Sequence, residues 1–143
     1  MTDIQQDFSR KMVIVIHEQL GSWQLTNTVA HIAAFLGNKM NQPFDTGTCF
    51  VSQDGLSFPR NSQYPIVALK ASAPELRALM NNVVQSNLLW VIYTQDMIDL
   101  TDDQELAKRF AEKNSDAVQL LGIGMFGTKQ ELKPFTNAFP LWK

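Results

Sequence analysis

The sequence is short of the residues from which most recognisable sites are built. Among 143 residues there is one cysteine, Cys49, and there are two histidines, His17 and His31. A single cysteine cannot close an intrachain disulfide, so no disulfide framework holds the chain. A reduced, cytoplasmic setting is the expectation that follows. No Cys/His cluster has metal-ligand spacing, and two histidines without a fixed carboxylate partner argue against zinc; neither metal nor cofactor is expected. No apolar run approaches the ~20 residues that span a bilayer. The start, MTDIQQDFSR, lacks the basic and then apolar pattern of a signal peptide. Charge of either sign is scarce as well: 12 Lys and Arg stand against 14 Asp and Glu, a net of −2. Such a balance gives no broad field for gripping nucleic acid or an anionic membrane. A Gly-rich phosphate loop ending in Lys-Ser or Lys-Thr is missing, and so is a G-x-S-x-G nucleophile elbow.

What is present is an ordinary globular composition, 45% hydrophobic. The length argues for one α/β domain over residues 1–143, with 1–10 a flexible or peripheral N-terminal segment. Four apolar runs read as strands: MVIVI (12–16), IVALK (66–70), LLWVIY (88–93) and VQLLGIG (118–124). The first and third are apolar without alternation, the signature of a strand covered on both faces. Helical segments lie between them. In the first, Leu25, Val29, Ile32, Ala33 and Leu36 share a face, with Gly37 as the stop. The others open on capping boxes: Ser72 with Glu75, Thr101 with Gln104, and Thr128 with Glu131. Pro134 should kink or end the last helix early. Residues 38–65 are too many for a bare connection, and within them TCFV and LSF flank the turn signal Asp54-Gly55, a small hairpin. The alternation of strands and helices predicts an α/β sandwich with a largely parallel or mixed sheet.

Few positions invite chemistry. GIGMFG (122–127) matches G-x-G-x-x-G, but no acidic residue follows about 20 positions on, as a dinucleotide site requires. Close packing of strand on helix at the glycines is the better reading. Cys49, among apolar residues, reads as a buried inert thiol. The dense polar stretch HEQLGSWQLTNTVAH (17–31) is different. Its helix mouth carries Ser22, Trp23 and Gln24, with Asn27 and His31 behind. Free N–H groups there would welcome an anion or a carbonyl oxygen. Equally, Ser22, Gln24 and Asn27 could simply cap the helix while Trp23 packs over its first turn. The first strand delivers His17 and Glu18 to its carboxyl end. The third delivers Thr94 and Asp96, and ligands in open α/β sheets gather beyond such ends. The candidate site is therefore His17, Glu18, Ser22, Trp23, Gln24, Asn27, His31, Thr94 and Asp96.

The stretch KMVIVIHEQLG…AHIAAFLG resembles the opening of type II peptidyl-tRNA hydrolases, and LLGIGMFGTKQELKPFTNAFPL resembles their closing strand and helix. A closer resemblance, from Lys11 to about Gly127, is to the bacterial family called domain of unknown function 2000, through LGSWQLTN, DGLSFPRNSQYPIVALKASAPELRAL, VIYTQDM and LLGIGMFG. The resemblance implies a three-layer α/β/α sandwich around a small mixed sheet, peptidyl-tRNA hydrolase II-like, and a homodimer. Phe139, Leu141 and Trp142 would add apolar bulk to such a dimer or else fold back into the core. Aligned on His31, the hydrolases' G-K-G-K turn falls on Gly21-Ser22-Trp23-Gln24. Their catalytic lysine becomes Gln24, and the Gln of their Q-x-x-H pair becomes Thr28. Their D-A-G-R-T loop falls on EKNSDAVQ (112–119), which has neither Arg nor Thr; Asp116 lies in it without matching the motif. An amide supplies a dipole where a lysine supplies a charge. The expectation is a small-molecule or peptide-end binding or regulatory module that lacks the hydrolase catalytic set. The alternative is an amide or ester hydrolase of altered chemistry, with Asp96 or His17 as base. Residual peptidyl-tRNA hydrolysis comes last.

Overall fold

The structure, a computed structural model, describes residues 6–40 and 49–143. The first half of the expected N-terminal segment and Thr48 of the expected hairpin lie outside the described residues. Strand β1 spans Arg10–His17 and helix α1 Ser22–Lys39. The hairpin strands β2 (Phe50–Val51) and β3 (Ser57–Phe58) follow, then β4 (Ile66–Ala71) and α2 (Ala73–Val83). Strand β5 (Leu89–Thr94) leads into two short helices, α3 (Gln95–Asp99) and α4 (Asp103–Ala111). A 3-10 turn at Ser115–Ala117, strand β6 (Leu120–Thr128) and helix α5 (Lys129–Thr136) complete the described chain.

The main sheet has the order β4-β1-β6-β5. β1 is parallel to β4, and β6 is antiparallel to both β1 and β5, so the sheet is mixed. Period-two geometry explains how one unbroken apolar run serves two cores. Val13 and Val15 point into a core shared with α2 and α5. Met12, Ile14 and Ile16 point the other way, into a core closed by Ile32 and Leu36 of α1. The layers are thus α1, sheet, and α2 with α5.

The glycines of GIGMFG sit inside β6, not in a turn between strand and helix. A Cβ at Gly122 would stand 2.7 Å from Thr28 Cγ2, and one at Gly124 2.2 Å from Ile32 Cγ2. Their emptiness is what lets α1 lie close on the sheet, as the sequence suggested.

The caps follow expectation at two helices. Glu75 N–H donates to Ser72 Oγ (3.3 Å) and Ser72 N–H to Glu75 Oε1 (2.9 Å), while Glu131 N–H donates to Thr128 Oγ1 (3.1 Å). The other helix ends need correction. α4 is capped by Asp102, not Thr101, with Gln104 N–H donating to its carboxylate at 2.8 Å; an anion suits the positive end of a helix better than a hydroxyl. α1 begins after Gly21, which has no side chain to cap with. It also runs through Gly37 to Lys39, because Met40 prolongs the buried stripe and its N–H donates to Leu36 O. Only Gly55 among the described residues has positive φ, 92°, in the turn of the expected hairpin. α5 continues two residues past Pro134.

Cys49 is exposed, which corrects the expectation of a buried thiol: the hairpin that follows it packs on neither core. At the C-terminus, Lys70 N–H donates to Pro140 O and Trp142 N–H to Ala68 O, so the tail pairs along β4. Phe139 and Trp142 pack against the two cores, whereas Leu141 stays half exposed. No helix among the described residues is long and apolar enough to cross a membrane.

Candidate functional site

The directions of the strands decide where polar residues meet. β1, β4 and β5 all end at one edge of the sheet, where β6 begins. A cleft of about 490 Å³ opens there. His17 from the end of β1, Gln24 from α1, Gln95 from α3, Arg77 from α2 and Asp116 from the 3-10 turn line it. We call it the mouth cleft.

The side chains in it are held firmly. Gln24 Oε1 accepts from Gly21 N–H at 3.1 Å, and Gln24 Nε2 donates to Gln95 Oε1 at 3.0 Å. Gln95 in turn donates to Asp99 Oδ1 at 2.9 Å. Gln19 N–H donates to His17 Nδ1 at 3.1 Å. A nitrogen that accepts cannot also carry the proton, so the neutral His17 ring is protonated on Nε2 and acts there as a donor. Arg77 donates to Ser115 O at 2.7 Å and to Val118 O, which ties α2 to the loop before β6. Its charge has no ion-pair partner among the described residues. Of the first turn of α1, only Gln24 lines the cleft. Asp116, on the exposed 3-10 turn, is the carboxylate on the rim.

The other expected site residues go elsewhere. Asn27 and His31 line a second groove of about 550 Å³ with Tyr93, Met97 and Leu106. Asn27 Nδ2 donates to Trp23 O at 2.9 Å, one turn back inside the helix, so it does not cap α1. His31 Nδ1 lies 2.8 Å from Asn27 O, and since a carbonyl can only accept, that nitrogen is the donor. The neutral ring therefore offers Nε2 as acceptor, the reverse of His17. His31 stacks on Tyr93 at 4.9 Å between ring centroids, and burial raises the Tyr93 pKa above the ordinary phenol value. Glu18, Ser22 and Trp23 are exposed, and the indole of Trp23 lies beside Gly21 at the start of α1 rather than in the mouth cleft. Thr94 is buried at 1% exposure and turns away from the mouth cleft into a third groove.

Asp96 is spoken for. Lys113 Nζ lies 2.5 Å from Oδ2 and Arg109 Nη1 3.5 Å from Oδ1. The hydrogen bond from Lys113 holds its carboxyl below the usual carboxylate range. A carboxylate so stabilised is a poor base. Gln95 stands in the polar group Thr94-Gln95-Asp96 after β5 but was not among the candidate site residues, nor was Arg77; α3, only five residues long, has no capping pattern to mark it, and the partners of Arg77 are backbone carbonyls.

The family described as "Protein of unknown function (DUF2000)" matches residues 10–143. The chain belongs to this family. A solved structure of a protein of unknown function from Agrobacterium tumefaciens strain C58 superposes with a TM-score of 0.81 over 96% of this chain and 100% of that one, at 17% identity. That likeness speaks for the fold alone. No curated protein matches. Among the described residues, no three His, Cys, Asp or Glu side chains stand close enough together to hold a metal ion. For this member of DUF2000, then, the mouth cleft presents an imidazole N–H, the side-chain amides of Gln24 and Gln95 and a guanidinium, with the Asp116 carboxylate on its rim.

Proposed function

We propose that this DUF2000 protein is a binding or regulatory module that takes a small polar ligand or a peptide end, such as a carboxylate, in the mouth cleft. The scaffold is read as peptidyl-tRNA hydrolase II-like, without the hydrolase catalytic set. One observation carries the reading. Gln24, where the resemblance puts the catalytic lysine, spends its amide on Gly21 N–H and Gln95. A side chain used to hold a loop is not available to move a proton. His17 supports the same reading, since its acceptor nitrogen is already engaged by Gln19. Asp96 is paired with two cations and outside the cleft lining. Homodimer formation stays part of the proposal on the resemblance alone; light scattering giving a 16.2 kDa mass would remove it.

Asp116 gives the second reading its one foothold. It is a carboxylate on the rim of a donor-rich cleft, and as a base it would make the protein an amide or ester hydrolase of altered chemistry.

A thermal-shift screen with small carboxylates, polar metabolites and short peptides tests the first reading. A ligand at 100 times its Kd adds about 2.7 kcal/mol. His17→Phe should abolish that shift and keep the fold. Peptidyl-tRNA should not be cleaved, and Gln24→Lys should not restore cleavage, because catalytic residues act as a unit. Cleavage at enzyme-like rates by the wild type would overturn the proposal. Turnover of a model ester that is lost in Asp116→Asn would replace it with the second reading.

A further inference from the structure

β5 is the outer strand of the sheet, with no strand beside it among the described residues. It carries no charge and no proline, the usual protections of a free edge. A groove of about 560 Å³ follows this edge, within the range of small-molecule sites. Its two ends differ. α1 starts at the mouth of the sheet, so its late residue Phe35 lies toward the start of β5, beside Trp90 and Met80; this end is apolar. Thr94 closes β5 at the other end, where Lys113 and Ser115 join the lining. Trp90 to Thr94 is four strand steps, about 13 Å at ~3.3 Å per residue.

Two independent features of the polar end ask for an acceptor. The Thr94 hydroxyl is buried and has no hydrogen-bond partner, although Thr94 is one of the residues lining the groove. A hydroxyl in that state has lost its water without return. Beside it, Asp96 carries one negative charge against the two positive charges of Lys113 and Arg109. The cluster is therefore net positive, and the Lys113 ammonium has donors beyond the one given to Asp96.

We propose that this groove binds an amphiphilic monoanion: a medium-length apolar chain seated between Phe35, Met80 and Trp90, ending in a carboxylate held by Lys113 and the Thr94 hydroxyl. The site adjoins the mouth cleft, with Val118 lining both, but Phe35, Trp90, Thr94 and Lys113 stand outside that cleft, so the proposal does not rest on what the cleft binds. A small rotation of the Thr94 side chain brings its hydroxyl to the carboxylate, and the chain covers the apolar edge of β5.

Calorimetric titration of the full chain with decanoate, and separately with decanol, tests it. Decanoate should bind 1:1, and decanol about 10-fold more weakly, since the charge-assisted bond is lost. Lys113→Met should weaken decanoate by about 10-fold and leave decanol unchanged. Thr94→Val keeps the shape of the side chain, so its fold is secure; it should weaken decanoate several-fold. The proposal is overturned if decanoate gives no heat at millimolar concentration. It is also overturned if decanoate and decanol bind alike, or if Thr94→Val binds decanoate as tightly as the wild type. A doubled mass in light scattering with no decanoate binding would assign the edge to a second copy and overturn it too. None of these results depends on the mouth cleft, so His17→Phe should titrate with decanoate like the wild type.

Discussion

The mouth cleft and the edge groove draw on several of the same elements and have opposite chemistry. α1 gives Gln24 to the first and Phe35 to the second, and β5 hands on to Gln95 for the first and supplies Trp90 for the second. The difference lies in position along the elements. Strand interiors are apolar because both faces are covered, whereas strand ends reach solvent and can carry turn and capping residues. A site at the ends of strands is thus built of donors and acceptors, and one along the edge is built of aliphatic and aromatic bulk. The two also differ in how they are held. Amide-to-amide and backbone bonds fix the cleft, while one carboxylate clasping Lys113 and Arg109 ties α4 and its following loop to the polar end of the groove.

The largest effect should come from the packing that both sites stand on. Gly124→Ala places a methyl 2.2 Å from Ile32 Cγ2 and 2.9 Å from Leu36 Cδ1. Overpacking of this kind should destabilise the fold by about 3 kcal/mol, read from urea denaturation, and blur cleft and groove together. Equal stability would mean that α1 is not seated as tightly as the two glycines require.

Asp96→Asn separates the two regions. It should cost about 1 kcal/mol, less at high salt, and disturb the groove while the cleft keeps its ligand shifts. Its pH dependence has a definite sign. Asp96 has a lowered pKa in the folded state, so its contribution is complete above the unfolded value of about 3.9. The contribution is lost as pH falls from there through the folded pKa. Melting curves from pH 2 to 7 should show the wild type and Asp96→Asn converging at the acid end. Parallel curves would mean that the clasp carries no stability.

Gln24→Ala removes the clamp between the start of α1 and α3 and should cost about 1 kcal/mol, measured by thermal melting. It should alter ligand shifts at the cleft and leave the groove alone. The smallest effects belong to Asn27→Ala and Trp23→Ala, each within about 0.5 kcal/mol. Asn27 donates only to a carbonyl within its own helix, and Trp23 is 56% exposed. A loss near 1 kcal/mol at Asn27 would restore it as a cap.

Some of this could be read directly from the residues. MVIVI was recognisable as a strand covered on both sides because nothing polar interrupts it, and SAPE and TKQE marked helix starts because their side chains bond to backbone within three residues. Gly122 and Gly124 were readable as packing glycines once the missing acid removed the dinucleotide alternative. Less of the site was legible. His17 and Gln24 do meet, but Asn27 and His31 face another groove, one turn further along α1. Thr94 and Asp96 are two apart in sequence, and one lines the edge groove while the other clasps Lys113, 17 residues further on. Arg77 gave no signal, because its partners are backbone carbonyls at Ser115 and Val118, which no side-chain pattern announces.

The sequence by itself determined the local part: the alternation of strands and helices, the two-sided burial of β1, the hairpin turn at Gly55, and the capping at Ser72 and Thr128. All of these rest on periodicity and on bonds spanning a few residues. Tertiary structure alone decided that β6 runs between β1 and β5, leaving β5 as the free edge. It decided that the start of α1 and the start of α3 meet through Gln24 and Gln95, 71 residues apart. It decided, too, that Asp96 is closed by two cations rather than open to a substrate. Strand order and long-range pairing depend on how whole faces fit together, and the glycine gap under α1 is one such fit. No window of neighbouring residues contains that information.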